Sequence, residues 1–297
     1  MRKQNAEVRL YLAFADGLSL AILLDWHYTF YMLAITLFGR PQIRLDDQEL
    51  IISRRKSRAL IYFLASQDRP VLRQQLLSTF WADLPRPAAQ QTLRTTLHGL
   101  RRSLGDWITA QEDWVGLSEQ VWADARQFEK QLSETTDDIP ALEQTLELYR
   151  GEFLEGFSLA AVQPFEDWLT VNREHYRRLA IRGWSALASL YEMQGDYQRA
   201  LEKLERALAI NRLQEDLQRD VIRLLYLSGD RPGAILRYDE LRRLLDEEMG
   251  VPPMVETRAL YDDILHDRLQ PRALQPVGAM RRAPRRTPGQ FVAVRES

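Results

Sequence analysis

The 297-residue chain contains no cysteine. That absence excludes disulfides, thiolate metal sites and a cysteine nucleophile, and it fits a reducing, cytoplasmic setting. Histidine is scarce too: His27, His98, His175 and His266 stand far apart, and none belongs to a His-Glu-x-x-His or similar ligand set. No Gly-x-x-x-x-Gly-Lys-Ser/Thr loop occurs anywhere, so a phosphate cradle of that type is missing. Nor is there a long unbroken apolar run. Leu10 to Phe38 is rich in apolar residues, but Asp16, Asp25 and His27 interrupt it, leaving too little for a membrane span. No small-residue cleavage site follows it, as a signal peptide would require. Acidic pairs such as Glu166-Asp167, Glu247-Glu248 and Asp262-Asp263 invite an acid–base or metal reading. Neighbours on a helix point about 100° apart, however, and read as surface charge. With no nucleophile–base–orienter set in view, the chain reads as a non-enzyme without a cofactor.

Excess charge of one sign is also missing overall, but the net of −2 conceals an asymmetry. From Met32 to Asp106 there are 12 Lys/Arg against 6 Asp/Glu, a net of +6. Trp107 to Ala123 holds 3 acids and no base, and Asp124 to Leu269 holds 19 bases against 29 acids, a net of −10. A basic module joined to an acidic one is the pattern of a regulator that holds nucleic acid with one part and protein with the other.

What the chain does have is centred on Arg86–Leu104. Leu93, Leu97, Leu100 and Leu104 recur at helical spacing and form one narrow apolar stripe. Gln91, Thr95, His98 and Arg102 point away from it, with Arg94 and Arg101 on its flank, and no carboxylate shares that face. Arginine and amide side chains are the types that hydrogen-bond base edges and phosphates in a DNA groove. An ordinary solvated basic face is the plainer alternative, and the surrounding elements decide between the two.

Those elements come in a definite order. Leu33–Phe38 is a β-rich run ended by Gly39-Arg40-Pro41, and Ile43–Ile52 supplies two short strands around an Asp46-Asp47 turn. From Ser53 the period becomes helical, with Ala59, Leu60, Phe63 and Leu64 on one face and Arg54, Arg55, Lys56 and Arg58 crowding the first turn. A second short helix runs from Arg73 to Phe80. Pro85 and Pro87 introduce the Arg86–Leu104 helix, and Gly105 stops it. Trp107–Ala110 and Trp114–Ser118 then alternate around Gln111-Glu112-Asp113 as a β-hairpin, followed by a Val121–Ala123 strand. Strands, three helices and a hairpin make a winged helix-turn-helix, whose third helix enters the major groove while bases elsewhere clamp the backbone. Arg54, Arg55, Lys56, Arg58 and Arg73 are the clamp candidates. Trp81, Trp107 and Trp122 fall at element ends and read as packing.

Beyond Asp124 the chain is helical by period up to Leu269. Gly195-Asp196 recurs as Gly229-Asp230 and Ala200 as Ala234, both 34 residues apart, and Leu204 matches Tyr238 at the same offset. A 34-residue period with a Gly-Asp turn between two helices is the tetratricopeptide signature. Such hairpins stack, and Glu143–Tyr149 with Trp168–Leu190 is the expected third pair.

The first half resembles the OmpR-type winged-helix domain of SARP-type (antibiotic regulatory protein) activators. The resemblance rests on Leu37-Phe38-Gly39, Ser57–Leu60 to Leu64, Leu76-Leu77-x-x-x-Trp81 and Leu93-Arg94-x-x-Leu97-x-x-Leu100-Arg101. The second half resembles the bacterial transcriptional activator domain that follows in that family. Asp124-x-x-x-Phe128, Leu148–Leu154 and the Tyr238-to-Pro253 segment carry that likeness. The fold expected is mainly α: an N-terminal α+β winged helix-turn-helix followed by an all-α tetratricopeptide-like domain. The divisions are residues 1–31 as an extension ahead of a domain start at Met32, 32–123 as the DNA-binding domain, 124–269 as the activator domain, and 270–297 as a disordered basic tail. A weak interfacial anchor is the competing reading of residues 1–31. The larger family members carry an ATPase module after this point, so the chain is either a minimal regulator or the front of a longer one. The resemblance implies a transcriptional activator that binds promoter repeats as a homodimer and contacts RNA polymerase. A tetratricopeptide scaffold without DNA specificity is the alternative function.

Overall fold

The computed structural model describes residues 33–135 and 137–269. The 1–31 extension and the 270–297 tail lie outside the described residues. Seven strands and ten helices are described, and the chain divides into two units, one ending at Leu187 and the other starting at Ala188.

In the first unit, β1 (Leu33–Thr36) pairs antiparallel with β2 (Gln42–Leu45), and β2 with β3 (Gln48–Glu49). The turn between β2 and β3 places Asp46 and Asp47 at φ 48° and 62°, a left-handed pair that short acidic side chains tolerate. Helix α1 (Arg55–Ala65) follows; every residue from Ala59 to Ala65 is buried, so it is a core helix rather than one with a single wet face. Strand β4 (Val71–Leu72) leads directly into α2 (Arg73–Phe80), and α3 (Arg86–Leu104) begins after Pro85. A 3₁₀ turn, Gly105–Trp107, joins α3 to the hairpin of β5 (Ile108–Ala110) and β6 (Trp114–Leu117). The hairpin gains a third strand because β4 pairs antiparallel with β6, giving the order β4-β6-β5. Strand β7 (Trp122–Ala123) returns to lie parallel to β1, completing β3-β2-β1-β7. Trp81 is buried, while Trp107 and Trp122 are half-buried.

The sheet does not end its own core. Asp124 opens α4 (Asp124–Glu134), and its carboxylate accepts the backbone N–H of Leu37 at 2.7 Å, Phe38 at 3.1 Å and Ala125 at 2.8 Å. Past β1 the chain is met by residues 152–155. Leu154 N–H donates to Leu37 at 2.7 Å, Gly39 N–H to Glu152 at 2.9 Å and Glu155 N–H back to Gly39 at 3.0 Å. The Phe38 ring sits among Phe128, Tyr149, Phe153 and Tyr176, with centroids 5.0–6.5 Å away. Phe63, Phe80, Phe165 and Trp168 make a second aromatic group. Aromatic pairs of this geometry add about 0.5–1.5 kcal/mol each beyond burial.

Helix α5 (Ile139–Leu146) packs on α4. The helix expected over Glu143–Tyr149 therefore starts earlier and stops at Leu146. Its last turn tightens through Leu148 N–H to Thr145 and Tyr149 N–H to Leu146, which turns Tyr149 onto Phe38. Helix α6 (Gln163–Met193) is 31 residues long, and the division between the units falls inside it.

The second unit contains the end of α6 with α7 (Tyr197–Ile210), α8 (Glu215–Leu227), α9 (Arg231–Met249) and α10 (Val255–Leu265). The 34-residue repeat is repeated in three dimensions. Gly195 (φ 76°) and Gly229 (φ 92°) turn the chain in the left-handed region. Asp196 and Asp230 then cap the next helix by accepting the N–H three residues on, at 3.1 and 2.9 Å. Ala200 and Ala234 are both fully buried, as close helix pairing requires. Ile222, Ala234, Tyr238, Leu241, Leu245, Leu260 and Ile264 make one core, against which Tyr261 stacks on Tyr238 at 3.9 Å. The Arg223 guanidinium is bidentate to Glu192, a pairing that holds its pKa above the ordinary arginine value.

Candidate nucleic-acid interface

Helix α3 carries the candidate site because its two faces have opposite fates. Ala89, Leu93, Leu97, Leu100 and Leu104 are buried, which fixes the rotation of the helix. Gln91, Arg94, Thr95, His98, Arg101 and Arg102 are all exposed on the other side. The helix has no acidic residue in its first turn, and Arg101 and Arg102 lie in its last, where the dipole favours cations.

The exposed residues differ in freedom. Among the described residues the side chains of Gln91, Arg94, His98 and Arg102 make no hydrogen bond or ion pair. The Thr95 hydroxyl donates to the Gln91 carbonyl at 3.0 Å, leaving its oxygen as an acceptor. Arg101 donates to the Ala110 carbonyl at 3.0 Å and ties the helix to the hairpin. Arg73 does the same from α2: its Nε donates to the Gln111 carbonyl at 3.1 Å, and its backbone N–H to Asp113 at 2.8 Å.

A cleft of about 440 Å³ lies between α2, the start of α3 and the hairpin turn. Arg73, Arg86 and Arg94 line it together with Gln90, Glu112 and Asp113. The sequence pattern does not mark Gln90, and marks Arg86 only by its place in an acid-free first helical turn. Glu112 and Asp113 of the hairpin tip partly offset the charge of these arginines.

The basic cluster of α1 is placed elsewhere. Arg54 is exposed at the N-cap. Arg55 Nε donates to the Ser158 carbonyl at 2.7 Å and its guanidinium lies 5.2 Å from the Phe157 ring. Lys56 donates to the Phe80 carbonyl at 2.8 Å and lies 5.5 Å from the Trp81 ring. Arg58 lies 5.9 Å from the Phe157 ring, with its Nε sealed from solvent. Arg55 and Lys56 are thus each tied to a carbonyl within the unit, whereas the Arg58 Nε has no hydrogen-bond partner.

Among the described residues no group of three or more His, Asp or Glu could hold a metal ion. Among them, too, no helix is long and apolar enough to cross a membrane.

Residues 118–265 match the bacterial transcriptional activator domain. The transcriptional regulatory protein MoaR1 of Mycobacterium tuberculosis is 26% identical over 247 residues, covering 76% of this chain and 77% of MoaR1. The regulatory protein AfsR of Streptomyces griseus is 26% identical over 247 residues, 78% of this chain but 24% of AfsR. The structure of Mycobacterium tuberculosis EmbR, solved in complex with a low-affinity phosphopeptide, superposes with a TM-score of 0.63 at 21% identity. It covers 81% of this chain and 66% of EmbR, and the two share a fold. A winged helix-turn-helix followed by this activator domain, in a chain whose relatives are transcriptional regulators, places the protein in the SARP-type family of transcriptional regulators.

Proposed function

We propose that the protein binds promoter DNA sequence-specifically through α3, and that its acidic helical half contacts RNA polymerase or a second copy of the chain. The observation that carries this reading is the split surface of α3: a buried leucine stripe opposite an exposed, acid-free face. Gln91, Thr95, His98 and Arg102 are assigned to base edges, since Gln suits adenine and Arg suits guanine. Arg94 and Arg101 are assigned to phosphates, with Arg54, Arg73 and Arg86 as flanking contacts. Gln91 and Arg102 are about three turns apart, so they address opposite ends of the site. Binding of two copies to repeated half-sites on the nucleoid, in the cytoplasm, completes the proposal.

The test is selection from a random duplex pool by residues 33–297, with salt titration. Enrichment of a short repeated site is expected, together with affinity that falls steeply as salt rises. Arg94→Glu with Arg102→Glu should abolish binding by a protein that still folds, since neither side chain supports the core. Undiminished affinity in that variant would sink the assignment. No binding even at low salt would turn attention to the tetratricopeptide-like half as a protein scaffold.

A further inference from the structure

A second cleft, of about 550 Å³, lies in the first unit on the basic side of α1. Its walls are Arg40 from the β1–β2 turn, Arg55 and Arg58 from the first turns of α1, Tyr62, and Glu155 and Phe157 from the following loop. Three guanidiniums face one carboxylate. Glu155 Oε2 is turned back toward Gly151, where an added Cβ would lie only 2.9 Å from it. Arg55 and Arg58 are brought within 5.2 and 5.9 Å of the same Phe157 ring, and among the described residues neither makes an ion pair. Two like charges over one ring repel, and an anion between them would relieve that repulsion.

Two further observations point to that anion. The Nε of Arg58 is buried and has no hydrogen-bond partner among the described residues, although buried donors are nearly always satisfied. Helix α1, 11 residues long, has no side-chain N-cap bond and no acid in its first turn, so its positive end is also uncompensated. Arg55 is held in place by Ser158, so one fork of the site is ordered in advance.

We propose that this cleft binds a small phosphorylated ligand, its phosphate held by Arg40, Arg55 and Arg58 and its organic part against Tyr62 and Phe157. The guanidinium fork matches phosphate geometry, and three of them suit more than one negative charge. The cleft is larger than one phosphate group needs and lies within the range of small-molecule sites. The cleft shares no lining residue with α3 or with the cleft beside it, so the ligand is assigned as a free molecule rather than the DNA held there. Such a site would let metabolite level act on the unit that carries α3.

Thermal melting of the full chain with sodium pyrophosphate as probe, against sodium chloride at matched ionic strength, tests this. A saturable rise is expected, on the order of 5 °C at one hundred times the dissociation constant. Arg58→Gln should weaken binding at least tenfold. Arg40→Gln, at an exposed position that folding does not need, should do the same. No saturable rise, or an equal rise in both variants, overturns the proposal. Displacement of pyrophosphate by a random duplex would assign the cleft to DNA and overturn it as well; simultaneous binding supports it. DNA affinity is measured separately, so failure of the promoter reading leaves this test intact.

Discussion

Asp124 is the residue on which the most local structure depends. Three backbone donors converge on a carboxylate that is 3% exposed. Burial pushes its pKa up to about 7, against the bonds from Leu37, Phe38 and Ala125, which pull it down. The folded chain therefore retains a proton that the unfolded chain loses near pH 4. Between those values the native state binds more protons, so stability falls as pH rises, by at most about 1.4 kcal/mol per unit. The contribution is full below about pH 4 and gone above about pH 7. Chemical denaturation across this window should show the decline, and Asp124→Asn should flatten it. Phe38→Ala, which empties the centre of four ring contacts, should cost about 3–5 kcal/mol by the same measurement.

Among the elements, α3 and the Gly-Asp turns make opposite demands. Leu97→Asp would bury a charge on the packed face of α3 and should prevent folding, whereas Arg102→Ala should leave melting unchanged and cost about 1–3 kcal/mol of sequence discrimination. Circular dichroism and DNA titration on the two variants separate these outcomes. At the repeat turn, Gly229→Ala forces a side chain to φ 92° and should lower stability by about 1 kcal/mol; Asp230→Ala removes the cap on Gly233 and should cost a similar amount. The helices, the hairpin and the 34-residue repeat were legible in the sequence because each rests on local period or turn chemistry. Strand β4 was not: two residues carry no period, and Val71 is a strand only because Val115 pairs with it. The surroundings of the basic first turn of α1 are not legible either. Nothing near Arg55 in the sequence shows that Ser158 and Phe157 would fold against it.

For the whole molecule, the family motifs of the two halves meet inside one unit. Leu37-Phe38-Gly39, from the winged helix, donates to Asp124 and Glu152, accepts from Leu154 and Glu155, and packs its ring on Phe128, all from the activator segment. Those motifs were visible as separate signatures, but a pairing across more than eighty residues leaves no mark on local pattern. Residues 33–123 expressed alone should therefore show broad, non-cooperative melting, while residues 33–187 should melt cooperatively; sharp melting of the shorter fragment would contradict this. The Asp124 clasp also bears on descent. A recombination event between Ala123 and Asp124 would hand the recipient a sheet without its closing carboxylate and a phenylalanine without its neighbours. The two segments in such a lineage are then inherited as a pair, and variation is left to their outer faces rather than to exchange of parts.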